Sequence, residues 1–178
     1  MKRITDIIFS FAGLILLLPV LVFVTLFIIL LERKSPFFIQ PRLGKHKKVF
    51  QIYKFRTMLD GEITSIGKVL RKSGIDELPQ LINILRGDMS LVGPRPLLES
   101  DVERLKWTGD YYEKRWNVPP GITGLAQLGS QCHKKFTWVH DRYYVENASL
   151  CLDFKILALS AGIPFLGKAR VKKLIHNN

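Results

Sequence analysis

The chain has 178 residues, 47% of them hydrophobic, and carries 27 Lys and Arg against 15 Asp and Glu for a formal net charge of +12. That length suits one domain with a modest core, and the charge asks for an anionic partner: nucleic acid, an anionic membrane surface or a phosphorylated substrate. Cys132 and Cys151 have neither CxxC spacing nor neighbouring metal ligands, as expected of reduced thiols in a cytosol-facing protein.

The first element is an apolar run, Ile7 through Leu31, without a single charge. At ~1.5 Å per residue it is long enough to cross a bilayer, and it is too long and lacks the cleavage site for a signal peptide. Pro19 sits at its middle, where it removes a backbone hydrogen bond and kinks the helix. Each half then measures ~18 Å, short of a ~30 Å hydrocarbon core. Lys2 and Arg3 precede the run, and Arg33, Lys34, Arg42, Lys45, Lys47 and Lys48 follow it, so both flanks favour the cytoplasmic side. A re-entrant hairpin satisfies both flanks; a Pro-kinked spanning helix also fits these residues.

Val49 to Phe55 alternates as a strand and runs into Lys54-Phe55-Arg56-Thr57-Met58. Thr64 or Ser65 predicts a helix start, with the helix continuing to Arg71. Next comes the carboxylate pair Asp76-Glu77, placed at the start of a short helix by Leu78, Leu81, Ile82 and Leu85 at helical spacing and by Gly87 as a stop. Pro79 is tolerated there because first-turn amides lack an intrahelical partner. Gly87 to Pro96 is turn-rich, and a helix is expected to begin after Pro96 and continue to about Trp107. Pro119 to Gly124 reads as an ordered loop and Ser149 to Leu159 as an amphipathic helix, with Pro164 interrupting the apolar stretch beyond it. Lys168, Arg170, Lys172 and Lys173 form a basic tail suited to anionic headgroups or simply to water. The series is α+β and mainly helical.

Several of these segments carry chemistry. Acids at a helix start, near backbone N–H groups, are favoured as anions and can hold a metal ion; taken alone they are more often only caps. Lys54 and Arg56, two apart on a strand, can face one side and suit a diphosphate, although a solvated basic edge is the more common explanation of such a pair. Pro94 and Pro96 stiffen the backbone around Arg95, which would pre-position its guanidinium for phosphate or for stacking on a base; the bare pattern equally fits a rigid surface turn or a proline-rich ligand segment. A lone acid such as Asp141 is ordinarily a surface residue or a cap. No GxGxxG, Walker loop, zinc spacing or Ser-His-Asp order is present.

In order along the chain stand an apolar segment with a central proline, Lys54-Phe55-Arg56-Thr57-Met58 and Asp76-Glu77-Leu78-Pro79-Gln80-Leu81. Gly87 to Pro96, Pro120-Gly121-Ile122-Thr123-Gly124-Leu125-Ala126-Gln127, and Asp141 with Tyr144 and Asp153 behind it complete the series. Nearly the whole chain thereby closely resembles the bacterial sugar transferase family, the monotopic phosphoglycosyltransferases. The resemblance implies a re-entrant membrane helix hinged at Pro19 over residues 1–34, and a small cytosolic catalytic domain with short strands over 35–178, on the cytoplasmic face of the bacterial inner membrane. It implies a Mg²⁺-dependent transfer of a sugar 1-phosphate from a UDP-sugar to undecaprenyl phosphate, releasing UMP, with membrane lipids and no nucleic acid as further partners. By that likeness Asp76 is the nucleophile, and Glu77, with Asp76, holds Mg²⁺. Lys54, Arg56, Pro94, Arg95 and Pro96 contribute to the diphosphate or uridine site, and Asp141 is a further acidic position of it.

The chain departs from the family pattern twice. Leu18 stands before the helix-breaking proline where the family usually has Ser. Gly129-Ser130-Gln131 stands where the family commonly has Asn-Gly-Arg, so Lys134 or Lys135 is a candidate replacement cation. The rival of a different class is a membrane-anchored protein whose basic face binds nucleic acid or anionic lipid without chemistry. It accounts for the charge and the anchor but gives no reason for paired acids beside ordered basic loops.

Overall fold

The computed structural model describes residues 1–129 and 134–166, so Gln131 and the basic tail lie outside the described residues. The described chain is mostly helical with short strands, and it gathers into two compact units. The first comprises Met1, residues 3–41 and 51–87; the second comprises Lys2, residues 42–50 and residue 88 onward.

In the first unit, α1 (Lys2–Glu32) is one long apolar helix with Pro19 inside it. The proline cannot donate to the carbonyl four residues back, yet the helix continues through it. Phe9, Leu16, Phe23 and Leu30 point outward, while Val24 and Ile28 are buried against Phe55 and Leu70 with Leu21, Ile66 and Ile75 around them. Thr25 returns its hydroxyl to the Leu21 carbonyl at 2.7 Å. β1 (Phe37–Leu43) pairs with β2 (Val49–Phe55), the strand that the alternation predicts. β3 (Met58–Leu59) and β4 (Glu62–Ile63) form a small antiparallel hairpin turned by Asp60 and Gly61, both at positive φ, as an Asp-Gly turn requires. α2 (Ser65–Ser73) starts where expected, with the Thr64 hydroxyl accepting from the Gly67 N–H at 3.0 Å.

α3 (Gln80–Arg86) ends at Gly87, as the sequence predicts, and begins later than predicted. Ile75–Glu77 forms a separate 3₁₀ turn, because Pro79 has no N–H to continue an α-helical ladder through the dyad. Arg3 donates to the carbonyls of Ile84 and Leu85 at the C-terminal end of α3, where orphan carbonyls and the helix dipole favour a cation. Asn83, fully buried, docks α3 onto β2. Its Nδ2 donates to the Gln51 carbonyl at 2.7 Å, and its Oδ1 accepts from the Tyr53 N–H at 3.1 Å.

The second unit contains β5 (Ser90–Val92), α4 (Glu99–Leu105), α5 (Asp110–Glu113), a 3₁₀ turn at Lys114–Asn117, β6 (Gly121–Thr123), α6 (Leu125–Gly129), α7 (Lys134–Asn147) and α8 (Leu150–Leu166). β5 and β6 pair in parallel, Ser90 opposite Gly121 and Val92 opposite Thr123. A Cβ on Gly121 would stand 2.1 Å from the Gly93 nitrogen, so only glycine admits this approach. One core joins Leu43, Leu97, Trp107, Trp116 and Trp138; another joins Val92, Leu128, Tyr144 and Ile156.

Two helix limits differ from expectation here. α4 begins only at Glu99, where Asp101 accepts from the Leu98 N–H at 3.2 Å, and it stops before Lys106, which adopts a left-handed conformation. α8 passes through Pro164 to Leu166, since a proline near the end of a helix forfeits a single backbone bond.

Asn83→Ala leaves the Gln51 carbonyl and the Tyr53 N–H, both partly buried, without the side chain that pairs them, and it should cost about 2–4 kcal/mol. Thermal unfolding of the detergent-solubilised protein checks this.

Candidate functional site

The dyad hangs between two backbone devices. Gly74 closes α2 at φ 75°, a conformation that turns the chain sharply and that an L side chain rarely adopts. Immediately after it, the Glu77 N–H donates to the Gly74 carbonyl at 3.2 Å and the Leu78 N–H to the Ile75 carbonyl at 3.2 Å. Asp76 and Glu77 are thereby held on a rigid turn, both partly buried.

Lys54, at the end of β2, donates to Glu77 Oε1 at 2.7 Å. Burial is the main cause that pushes the Asp76 carboxyl above the usual carboxylate range, and the neighbouring Glu77 charge adds to it. Lys54 and Arg71 oppose both. Arg71 is itself aimed by a 2.8 Å bond from its Nε to the Thr57 hydroxyl.

Arg56 does not follow Lys54. It lies one residue past the strand, and its guanidinium donates to the carbonyls of Ser35 at 2.8 Å and Phe37 at 3.3 Å, bracing the start of β1. The first unit thus brings Lys54, Asp76 and Glu77 together and adds Arg71, which sequence reasoning did not single out. The available signal was its place in the last turn of α2, five residues before the dyad.

Two adjacent carboxylates are a donor set that fits Mg²⁺, which takes one or two protein carboxylates and fills its other positions with water and substrate phosphate. Among the described residues no group of three or more His, Cys, Asp or Glu side chains could form an all-protein metal cage.

The remaining candidates lie in the second unit. Pro94 and Pro96 are buried while Arg95 between them is exposed, and among the described residues Arg95 has no acidic partner. Asp141 is neither a surface residue nor a cap. It is 2% exposed, in α7, and its Oδ2 accepts from Arg115 Nε at 2.9 Å. Burial pushes its carboxyl up, and the Arg115 guanidinium opposes that. Behind it, Asp153 accepts from Lys2 at 2.5 Å, and its other oxygen lies 2.7 Å from the Tyr144 hydroxyl. Lys134 and Lys135 open α7.

The family model described as bacterial sugar transferase matches residues 1–166. The chain is 43% identical to an uncharacterised sugar transferase, EpsL, of Bacillus subtilis strain 168, over 79% of this chain and 76% of the relative. It is 40% identical to the UDP-N-acetylgalactosamine-undecaprenyl-phosphate N-acetylgalactosaminephosphotransferase of Aeromonas hydrophila, over 88% of this chain and 41% of that protein. With the UDP-glucose:undecaprenyl-phosphate glucose-1-phosphate transferase of Klebsiella pneumoniae the identity is 34%, over 94% of this chain and 41% of the relative. The chain therefore spans about two fifths of the length of these two named transferases.

In metal-free buffer, Lys54→Met and Arg71→Met should each raise the pKa of the Asp76 carboxyl, because each removes a cation that lowers it. Glu77→Gln should lower it by removing a like charge. Carbonyl-carbon NMR of the labelled aspartate reads all three directions.

Proposed function

Given that the chain belongs to the bacterial sugar transferase family, and is an enzyme of that kind, we propose that it transfers a sugar 1-phosphate from a UDP-sugar to undecaprenyl phosphate at the cytoplasmic face of the inner membrane. The observation that carries this reading is the Asp76-Glu77 pair on a rigid turn with Lys54 at 2.7 Å from Glu77 and Arg71 beside it.

The Asp76 carboxylate oxygen attacks the sugar-bearing phosphorus of the donor, and the bond from that phosphorus to the bridging oxygen breaks. UMP leaves, and an aspartyl-phosphosugar remains. A phosphate oxygen of undecaprenyl phosphate then attacks the same phosphorus and releases Asp76 as a carboxylate. Covalent catalysis of this kind divides one difficult transfer into two easier ones. Asp76 and Glu77 would hold Mg²⁺, which when bound supplies charge neutralisation at the diphosphate. Lys54 orients Glu77 and, with Arg71, opposes the rise that burial and Glu77 give the Asp76 carboxyl. Arg95, exposed between two buried prolines, would bind the donor diphosphate or uridine.

We further propose that α1 enters the membrane and returns. Arg3 is bound to the end of α3, and Val24 and Ile28 pack on Phe55 and Leu70, so both ends of the apolar run are held by the same unit. That favours a return to one face over a crossing, with Pro19 as the weakest point of the ladder. The exposed apolar residues of α1 are the surface that lipid would cover.

Asp76→Asn should abolish UMP release from every UDP-sugar of a panel while expression and membrane association persist. Quenching with labelled donor before acceptor is added should trap label on Asp76; normal turnover by the variant would remove it as nucleophile. For topology, a single cysteine introduced beside Lys2, in a background lacking Cys132 and Cys151, should be protected from an impermeant reagent outside sealed right-side-out vesicles. Ready labelling would defeat the re-entrant reading.

A further inference from the structure

The loop that carries Arg95 is held at four consecutive carbonyls by four different donors. The Pro94 carbonyl accepts from the Gly121 N–H at 2.9 Å, and the Arg95 carbonyl accepts from Arg115 Nη2. The Pro96 carbonyl accepts from Arg42 Nη1 at 3.4 Å, and the Leu97 carbonyl from the Leu43 N–H at 2.8 Å. Three of these donors are ordinary loop-fixing contacts. Arg115 is different, because it is a charged side chain buried to 2% exposure under an exposed arginine.

Arg115 has a carboxylate and two rings around it besides the Arg95 carbonyl. Nε meets Asp141, which is equally buried; the guanidinium carbon lies 5.0 Å from the Trp116 ring centroid and 5.7 Å from that of Trp107. A buried ion pair gains little net stability, since desolvation of both charges offsets their attraction, and an apolar pair of the same volume would serve the core as well or better. What apolar residues could not supply is a donor at the Arg95 carbonyl. Lysine would not supply it equally, because one planar fork here serves a carboxylate and a carbonyl at once between two indole faces. We propose that Arg115 is a positioning residue that fixes the backbone beneath Arg95, and that Asp141 acts by holding Arg115 rather than by touching substrate or metal.

The proposal rests on the reading that Arg95 contacts the donor. Fixing its backbone in advance removes ordering that donor binding would otherwise have to impose. The consequence falls on donor affinity, with chemistry at Asp76 largely spared.

The test is a double-substitution cycle in the full-length, membrane-extracted enzyme. Arg115→Lys should raise KM for the UDP-sugar about tenfold and change kcat less than about twofold. In an Arg95→Ala background the same substitution should alter KM by less than about twofold, because there is no longer a guanidinium for the loop to present. If Arg115→Lys is equally damaging with and without Arg95, or lowers kcat with KM unchanged, Arg115 supports the fold or the chemistry by another route and the proposal fails. If Arg95→Ala alone leaves KM unchanged, the donor role of Arg95 fails first and takes the proposal with it. Should Arg115→Lys not accumulate as folded protein, the isosteric Asp141→Asn carries the same cycle, with a smaller rise in KM that likewise disappears without Arg95. An Asp141→Asn effect that persists there overturns the proposal.

Discussion

Two carboxylates side by side on one turn repel each other, and the first unit is organised around that constraint. Asp76 and Glu77 are adjacent in sequence, so their mutual repulsion cannot be relieved by moving them apart. It is relieved by bringing cations to them. Lys54 comes from β2, and its reach to Glu77 depends on α3 lying along that strand. Asn83 sets that placement by bonding Gln51 and Tyr53, the backbone just before Lys54. One buried amide therefore controls the register of an ion pair six residues upstream of it. The same amide satisfies the edge of β2, which would otherwise leave polar groups without partners inside the unit.

The second unit positions its cation by the opposite means. Lys54 is fixed by what its ammonium group touches, whereas Arg95 is exposed and is fixed by what its backbone touches. Two flanking prolines restrict the dihedrals, Gly121 comes close enough that no Cβ fits, and the carbonyls are clamped on every side. Among the described residues this leaves the guanidinium without an acidic partner, which suits a group proposed to meet a ligand. Arg56 shows the contrast: its guanidinium is engaged with two carbonyls of the chain and braces β1.

What was legible in the sequence was local. The Val49–Phe55 strand follows from alternation, the start of α2 from the Thr64 cap, and the end of α3 from Gly87. The dyad was conspicuous because two acids beside a proline and a helical stop are a local pattern, although the pattern could not tell a 3₁₀ turn from the first turn of α3. Arg71, Asn83 and Arg115 were not legible, since each acquires its role from a partner far along the chain: Thr57, Gln51 and Asp141 respectively. The burial of Asp141 was not legible for the same reason. A lone acid among polar neighbours looks solvated until an arginine 26 positions earlier is known to lie against it.

The apolar helix and the residues around the dyad share one core. Phe55, which ends the strand bearing Lys54, shares its core with Val24 and Ile28 of α1 and with Leu70, one residue before Arg71. Under the proposed function, this makes the depth of α1 in the bilayer a determinant of where the dyad stands relative to a lipid phosphate. A flexible tether between anchor and catalytic turn would let that height vary by many ångströms, since a flexible linker's end-to-end distance grows with the square root of its length. Packing the second half of α1 directly against the strand and helix that supply the two cations removes that freedom. The apolar helix is then part of the active-site scaffold, and a polar substitution at Ile28 would disturb the cations around Asp76 as well as the seat of the anchor.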